Sequence, residues 1–165
     1  MKDTVKEIKH TKEELINAIS SISEDQFNKV PFEGSWTAAQ VSEHLLKAIG
    51  ISTLYGGIKT TDRDPGEKIA ETGELFLNMD IKMKSPDFIL PSDKKHTRKE
   101  IIDEVDITLS KLIEAAETLD LSKTCTDFAI PGFGDFTRLE FIWFYIFHTQ
   151  RHTNQLKNIN KALAN

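Results

Sequence analysis

Four times along this chain a threonine is followed three residues later by an acid or amide, and each time an apolar run of helical period begins. The pairs are Thr4–Glu7, Thr37–Gln40, Thr97–Glu100 and Thr137–Glu140. In such a box the threonine oxygen takes the third helical N–H, and the acid or amide returns to the threonine N–H. The apolar positions behind them recur at three and four residues, as on one face of a helix. Val5, Ile8, Leu15, Ile19 and Ile22 form the first stripe. Val41, Leu45, Ala48, Ile49 and Ser52 form the second. Ile101, Val105, Thr108, Leu112, Ala116 and Leu119 form the third. The pattern predicts helices over 4–22, 37–55, 97–119 and 137–163. Pro131, Gly132 and Gly134 set the last one apart. An all-α four-helix bundle is therefore expected, as a single domain over residues 1–165, a length suited to one core.

The connection over 56–96 is long for a compact domain, and such connections are often functional. Gly56-Gly57 ends the second helix. Asp64-Pro65-Gly66 reads as a turn or as the entry to a short helix over Glu67–Thr72. Ile81-Lys-Met83-Lys alternates like a strand too short to build a sheet. A crossover here frees the third helix from the direction a tight turn would impose.

Charge and apolar runs exclude some functions. The net charge is −5, without the basic surplus of a large nucleic-acid footprint. Lys94, Lys95, Arg98 and Lys99 read as a solvated loop and helix start. The longest dense apolar run, Phe141 to Phe147, is far below the roughly 20 residues a membrane span needs. No nucleic-acid or membrane partner is expected. The start carries no apolar signal segment. The lone cysteine, Cys125, cannot form an intrachain disulfide, which suits a reducing compartment, and a cytoplasmic location is expected. Nothing near Cys125 lowers its pKa, so it reads as buried and inert. Phe141–Phe147 is apolar on every side of its helix. Part of it is expected in a homodimer interface, the alternative being cover by the long connection.

Chemistry points to three histidines. His148 and His152 are four apart, one turn along one helix face, where two imidazoles can chelate one ion. His44 interrupts the apolar face of Val41, Ala48, Ile51 and Tyr55. Three such ligands leave open coordination positions, as catalytic sites require. The alternative is that these histidines are core polar groups. Gln155, one turn beyond His152, is a candidate to orient an imidazole. Tyr55 is a candidate hydroxyl donor near the ion. Arg151 is a candidate for an anionic substrate or, preferably, for a pair with an acid on another helix. Glu43 points away from His44, as helix neighbours do, and reads as a surface charge. Glu140 serves the Thr137 cap. His10 and His96 read as surface residues.

Two segments carry a family resemblance. Trp36-Thr-Ala-Ala-Gln-Val-Ser-Glu43-His44-Leu45 resembles the start of the second helix in the DinB-like superfamily. Phe147-His148-Thr-Gln-Arg151-His152-Thr-Asn-Gln155-Leu156 resembles the motif of its last helix, and Gly132-Phe-Gly134-Asp-Phe-Thr137 its glycine-containing lead-in. The resemblance implies an up–down–down–up bundle with a long second connection. It implies one divalent ion, commonly zinc or nickel, on His44, His148 and His152. Some relatives are transferases or isomerases using low-molecular-weight thiols. The expectation is a metal-dependent enzyme acting on a small molecule, as a hydrolase or a thiol-dependent transferase. The alternatives are a non-enzymatic metal or small-ligand module of a stress response, and a metal-free bundle.

Overall fold

In the computed structural model, which describes residues 2–164, the first helix already runs at Thr4. Helix α1 spans Lys2–Ser20, so Thr4 lies buried inside it and not at its cap. Asp3 in the first turn suits the positive end of the helix dipole and lets the helix start earlier. The other three boxes form as expected. Gln40 N donates to Thr37 Oγ1 at 3.1 Å and Thr37 N to Gln40 Oε1 at 3.0 Å. The same reciprocal pairs close at Thr97–Glu100 and Thr137–Glu140. Each such cap contributes about 1 kcal/mol and fixes where a helix begins.

The second expected helix is two. Helix α2 (Ala38–Ala48) stops, and a short α3 (Ile51–Tyr55) follows. The break falls at Gly50, whose carbonyl accepts the Tyr145 hydroxyl at 3.0 Å. A side chain at Gly50 would meet that hydroxyl at 3.3 Å. The same carbonyl accepts Thr53 N at 3.0 Å, so it starts α3 and ties that start to Tyr145.

Helix α5 (Arg98–Thr118) and helix α6 (Arg138–Leu163) complete the bundle. Helix α1 packs against α5 and α6, and α2 packs against the same two. The core between them holds Ile8, Leu15, Leu45, Val105, Phe141 and Ile159. In α5, Leu109 is buried where Thr108 was expected to point inward.

The fold is not purely helical. Strand β1 (Ile58–Lys59), strand β2 (Thr124–Ile130) and strand β3 (Gly134–Thr137) form a small antiparallel sheet in the order β1-β2-β3. Gly132 and Gly134 turn the chain between β2 and β3 at φ values of 88° and 70°, which side chains resist. Conversely, Ile81–Lys84 forms no strand.

The long connection carries β1, helix α4 (Ile69–Leu77) and a single 3-10 turn over Asp87–Ile89. Helix α4 lies along α6. A side chain at Gly73 would sit 3.0 Å from Phe147, and the Phe76 and Phe144 rings meet edge-on at 5.0 Å. The apolar segment Phe141–Phe147 is therefore covered within the chain. It supplies no argument for a second copy. Arg63, before α4, grips Glu140 of α6 through both carboxylate oxygens, at 2.6 and 2.7 Å.

Candidate metal centre

Helix α6 places His148 and His152 one turn apart on its inner face, and α2 brings His44 against them. Their ring centroids lie 4.5 to 5.2 Å apart. One ring nitrogen from each falls within 4.8 Å of the others. All three side chains are buried. Trp36 leans on His44, and Phe144 stacks on His148 at 12° between planes.

Each ring is set by what its other nitrogen does. His152 Nδ1 donates to Gln155 Oε1 at 2.8 Å, leaving Nε2 with a bare lone pair. His44 Nδ1 donates to the Ile89 carbonyl at 2.9 Å, which frees its Nε2 in the same way. His148 Nε2 faces His152 Nε2 at 3.0 Å, close to the separation of neighbouring ligands at about 2 Å from one ion. His148 Nδ1 is buried without a partner among the described residues. An orphaned buried nitrogen is costly.

The same burial keeps the rings neutral. It pushes His44 down, against the opposing pull of the Ile89 bond. It takes His148 well below the usual histidine range, helped by the other two rings. It brings His152 down to about 4, with His44 adding to the shift. Metal ligands must be deprotonated, and these are at neutral pH. Among the described residues no Cys, Asp or Glu joins the three as a fourth ligand. The donor set fits a divalent ion with open positions.

Two cavities meet at this point. One, of about 680 Å³, lies beside His44, His148 and His152 and is lined by Trp36, Lys82 and Gln155 among others. The other, of about 370 Å³, is largely aromatic, with Phe76, Phe128 and Phe133 in its wall. They share His44, His148 and the segment Met83-Lys84-Ser85.

The remaining candidates separate. Gln155 stands on His152 as expected. Arg151 pairs with no acid among the described residues. Its guanidinium donates to the carbonyls of Phe76 (3.1 Å), Asn78 (2.9 Å) and Ile81, tying the chain after α4 to α6. Tyr55 is exposed at the end of α3 and lines neither cavity. His10 is exposed, as expected.

Glu43 and His96 are not simple surface groups. Glu43 accepts from Ser92 N, Ser92 Oγ and His96 Nε2, at 3.0 to 3.1 Å, and pairs with Lys47 at 2.8 Å. Burial alone would raise its carboxyl, but these bonds hold it down at about 2. The cluster fastens the segment that carries Ile89 to α2. Among the basic cluster, Arg98 caps the Ser20 and Ile22 carbonyls and Lys99 pairs with Asp103. Cys125 is buried in β2, and burial pushes its thiol up, as suits an inert residue. Sequence reasoning missed the Ile89 carbonyl, which no side-chain pattern announces, and Lys82 and Lys84, hidden in the expected strand.

A bundle with three histidines converging from its second and last long helices is a defined class of protein. The sequence pattern of the DinB superfamily matches residues 7–156, and the chain belongs to that superfamily. YuaE, an uncharacterized protein of Bacillus subtilis strain 168, is 24% identical over 152 residues, which is 91% of this chain and 93% of the relative. The solved structure of YfiT from Bacillus subtilis is described as a probable metal-dependent hydrolase with an unusual four-helix bundle topology. It is 14% identical, with a TM-score of 0.65, over 99% of this chain and 87% of its own. That likeness is one of fold.

Proposed function

We propose that this protein is a divalent-metal-dependent enzyme acting on a small molecule, by hydrolysis or by transfer of a thiol. One observation carries the reading. Three neutral imidazoles, two with their tautomers fixed, converge where two cavities meet, and no Cys, Asp or Glu among the described residues stands beside them as a fourth ligand. His44, His148 and His152 would hold the ion, with zinc or nickel the metals we favour. A bound divalent ion would acidify water or a thiol, yielding a nucleophile near neutral pH. Gln155 and the Ile89 carbonyl keep the Nε2 atoms of His152 and His44 aimed inward. Arg151 holds the chain after α4 against α6, beside the larger cavity. The YfiT description supports a hydrolase, and nothing in the pocket singles out a low-molecular-weight thiol. The buried single cysteine agrees with the cytoplasm, where we place the protein.

A non-enzymatic binding module would favour a closed coordination shell, and no further Cys, His, Asp or Glu closes this one among the described residues. The test is elemental analysis of tag-free protein beside a His44→Ala/His148→Ala variant. About one ion per chain, absent from the variant, is expected of an open three-histidine site. Turnover of a screened hydrolase or thiol-transfer substrate should then vanish on chelation. Metal-free protein that takes up neither zinc nor nickel would overturn the reading.

A further inference from the structure

The large apolar side chains left exposed are not scattered. Of the eleven among the described residues, six line one or other cavity at the histidines: Phe32, Met79, Met83, Phe88, Leu90 and Phe128. Exposed apolar surface gathered in this way marks a place where something apolar binds. The charged groups are gathered too. The chain carries a net charge of −5. Yet no Asp or Glu lines either cavity, while Lys82, Lys84 and Arg151 line the larger one. Arg151 spends its donors on neutral carbonyls, so no ion pair among the described residues cancels its charge. Lys82 and Lys84 are exposed and make no ion pair among the described residues. Cations in a cleft without acids focus a positive potential there.

The smaller cavity has the opposite character. Phe76, Phe128, Phe133, Phe144 and Ile130 wall it, and Lys84 is its one lysine, arginine or acid. Lys84, His44 and His148 belong to both cavities, so the two adjoin at the histidines.

We propose that the small molecule is an anionic amphiphile. Its anionic head lies among Lys82, Lys84 and Arg151, its acyl or aryl arm fills the aromatic cavity, and the link between them passes the three histidines. This names the substrate class of the site described above and rests on that site taking a small molecule.

The test is calorimetric titration of metal-free, tag-free protein with acetate and with decanoate and decyltrimethylammonium, the two amphiphiles below their micelle concentrations. Because no metal is present, the result does not depend on whether the histidines bind one, and metal analysis decides that separately. Decanoate should bind at least about tenfold tighter than either of the other two. Ala48→Trp places a ring in the aromatic cavity and should weaken decanoate about tenfold. A Lys82→Glu/Lys84→Glu variant changes only exposed side chains, so it keeps the test readable if the tryptophan variant fails to fold. It should abolish the preference for decanoate over decyltrimethylammonium. Equal binding of the anionic and cationic amphiphiles by wild-type protein, or no binding of decanoate, would overturn the proposal.

Discussion

The side-chain carbonyl of Gln155 accepts the Nδ1 proton of His152 at 2.8 Å, one helical turn along α6. That bond decides which His152 nitrogen keeps its lone pair. Outer partners of this kind are worth about 10–100-fold in metal affinity. Gln155→Leu should therefore weaken zinc binding by about that factor, measured by competition with a chromophoric chelator, while the unfolding midpoint moves little. Gln155→Glu keeps an acceptor and should restore most of the affinity. Equal affinity in wild type and Gln155→Leu would show that the bond does not orient the ligand.

His148 Nδ1 is buried with no partner among the described residues. A polar atom in that position costs about 1–3 kcal/mol. In metal-free protein, His148→Phe should raise stability in urea by about 1 kcal/mol while metal uptake disappears. A destabilised variant would mean that the nitrogen is satisfied in solution.

Glu140 is buried beneath Arg63 and also accepts from the Thr137 and Lys68 backbone N–H groups. Burial alone would raise its carboxyl, yet Arg63 and those N–H groups lower it below the usual glutamate range. Its contribution to stability is thus complete above the ordinary glutamate pKa of about 4.3 and is lost as pH falls through the lowered folded value. Glu140→Gln should cost about 2 kcal/mol at pH 7, less than a fully buried pair because Arg63 is partly exposed. The variant should also lose less stability than wild type as urea midpoints are followed into acid. Parallel pH profiles would count against this.

Gly73 lets α4 approach the Phe147 ring to 3.0 Å of where a Cβ would stand. Overpacking such a contact typically costs about 1–3 kcal/mol. Gly73→Val should lower the unfolding midpoint accordingly and loosen α4 first, seen as faster amide exchange over residues 69–77 than in α5. Unchanged exchange in α4 would refute the close fit.

What could be read from the sequence followed local rules. Thr37, Thr97 and Thr137 announce helix starts because capping involves neighbours alone, and His148 and His152 meet because helical spacing fixes them. Thr4 misled because a helix can begin before a good cap when nothing stops it. The bond at the Gly50 break comes from Tyr145, far along the chain, and no local pattern shows it. The strand around Cys125 pairs with Ile58 and Lys59, again a distant partner. Glu43 looked like a surface charge because its bonds to Ser92 and His96 exist only once the connection folds back over α2.

The histidines sit on two bundle helices, but much of what faces a ligand, from Met79 to Leu90, belongs to the connection between them. Apart from the Ile89 carbonyl on His44, reactivity and selectivity are thereby written in separate stretches of the chain. Replacing the stretch 79–88, short of the Ile89 carbonyl that orients His44, would change which molecules are admitted while His44, His148 and His152 stay on the same scaffold. A single bundle could in this way serve many substrates by exchange of one surface segment.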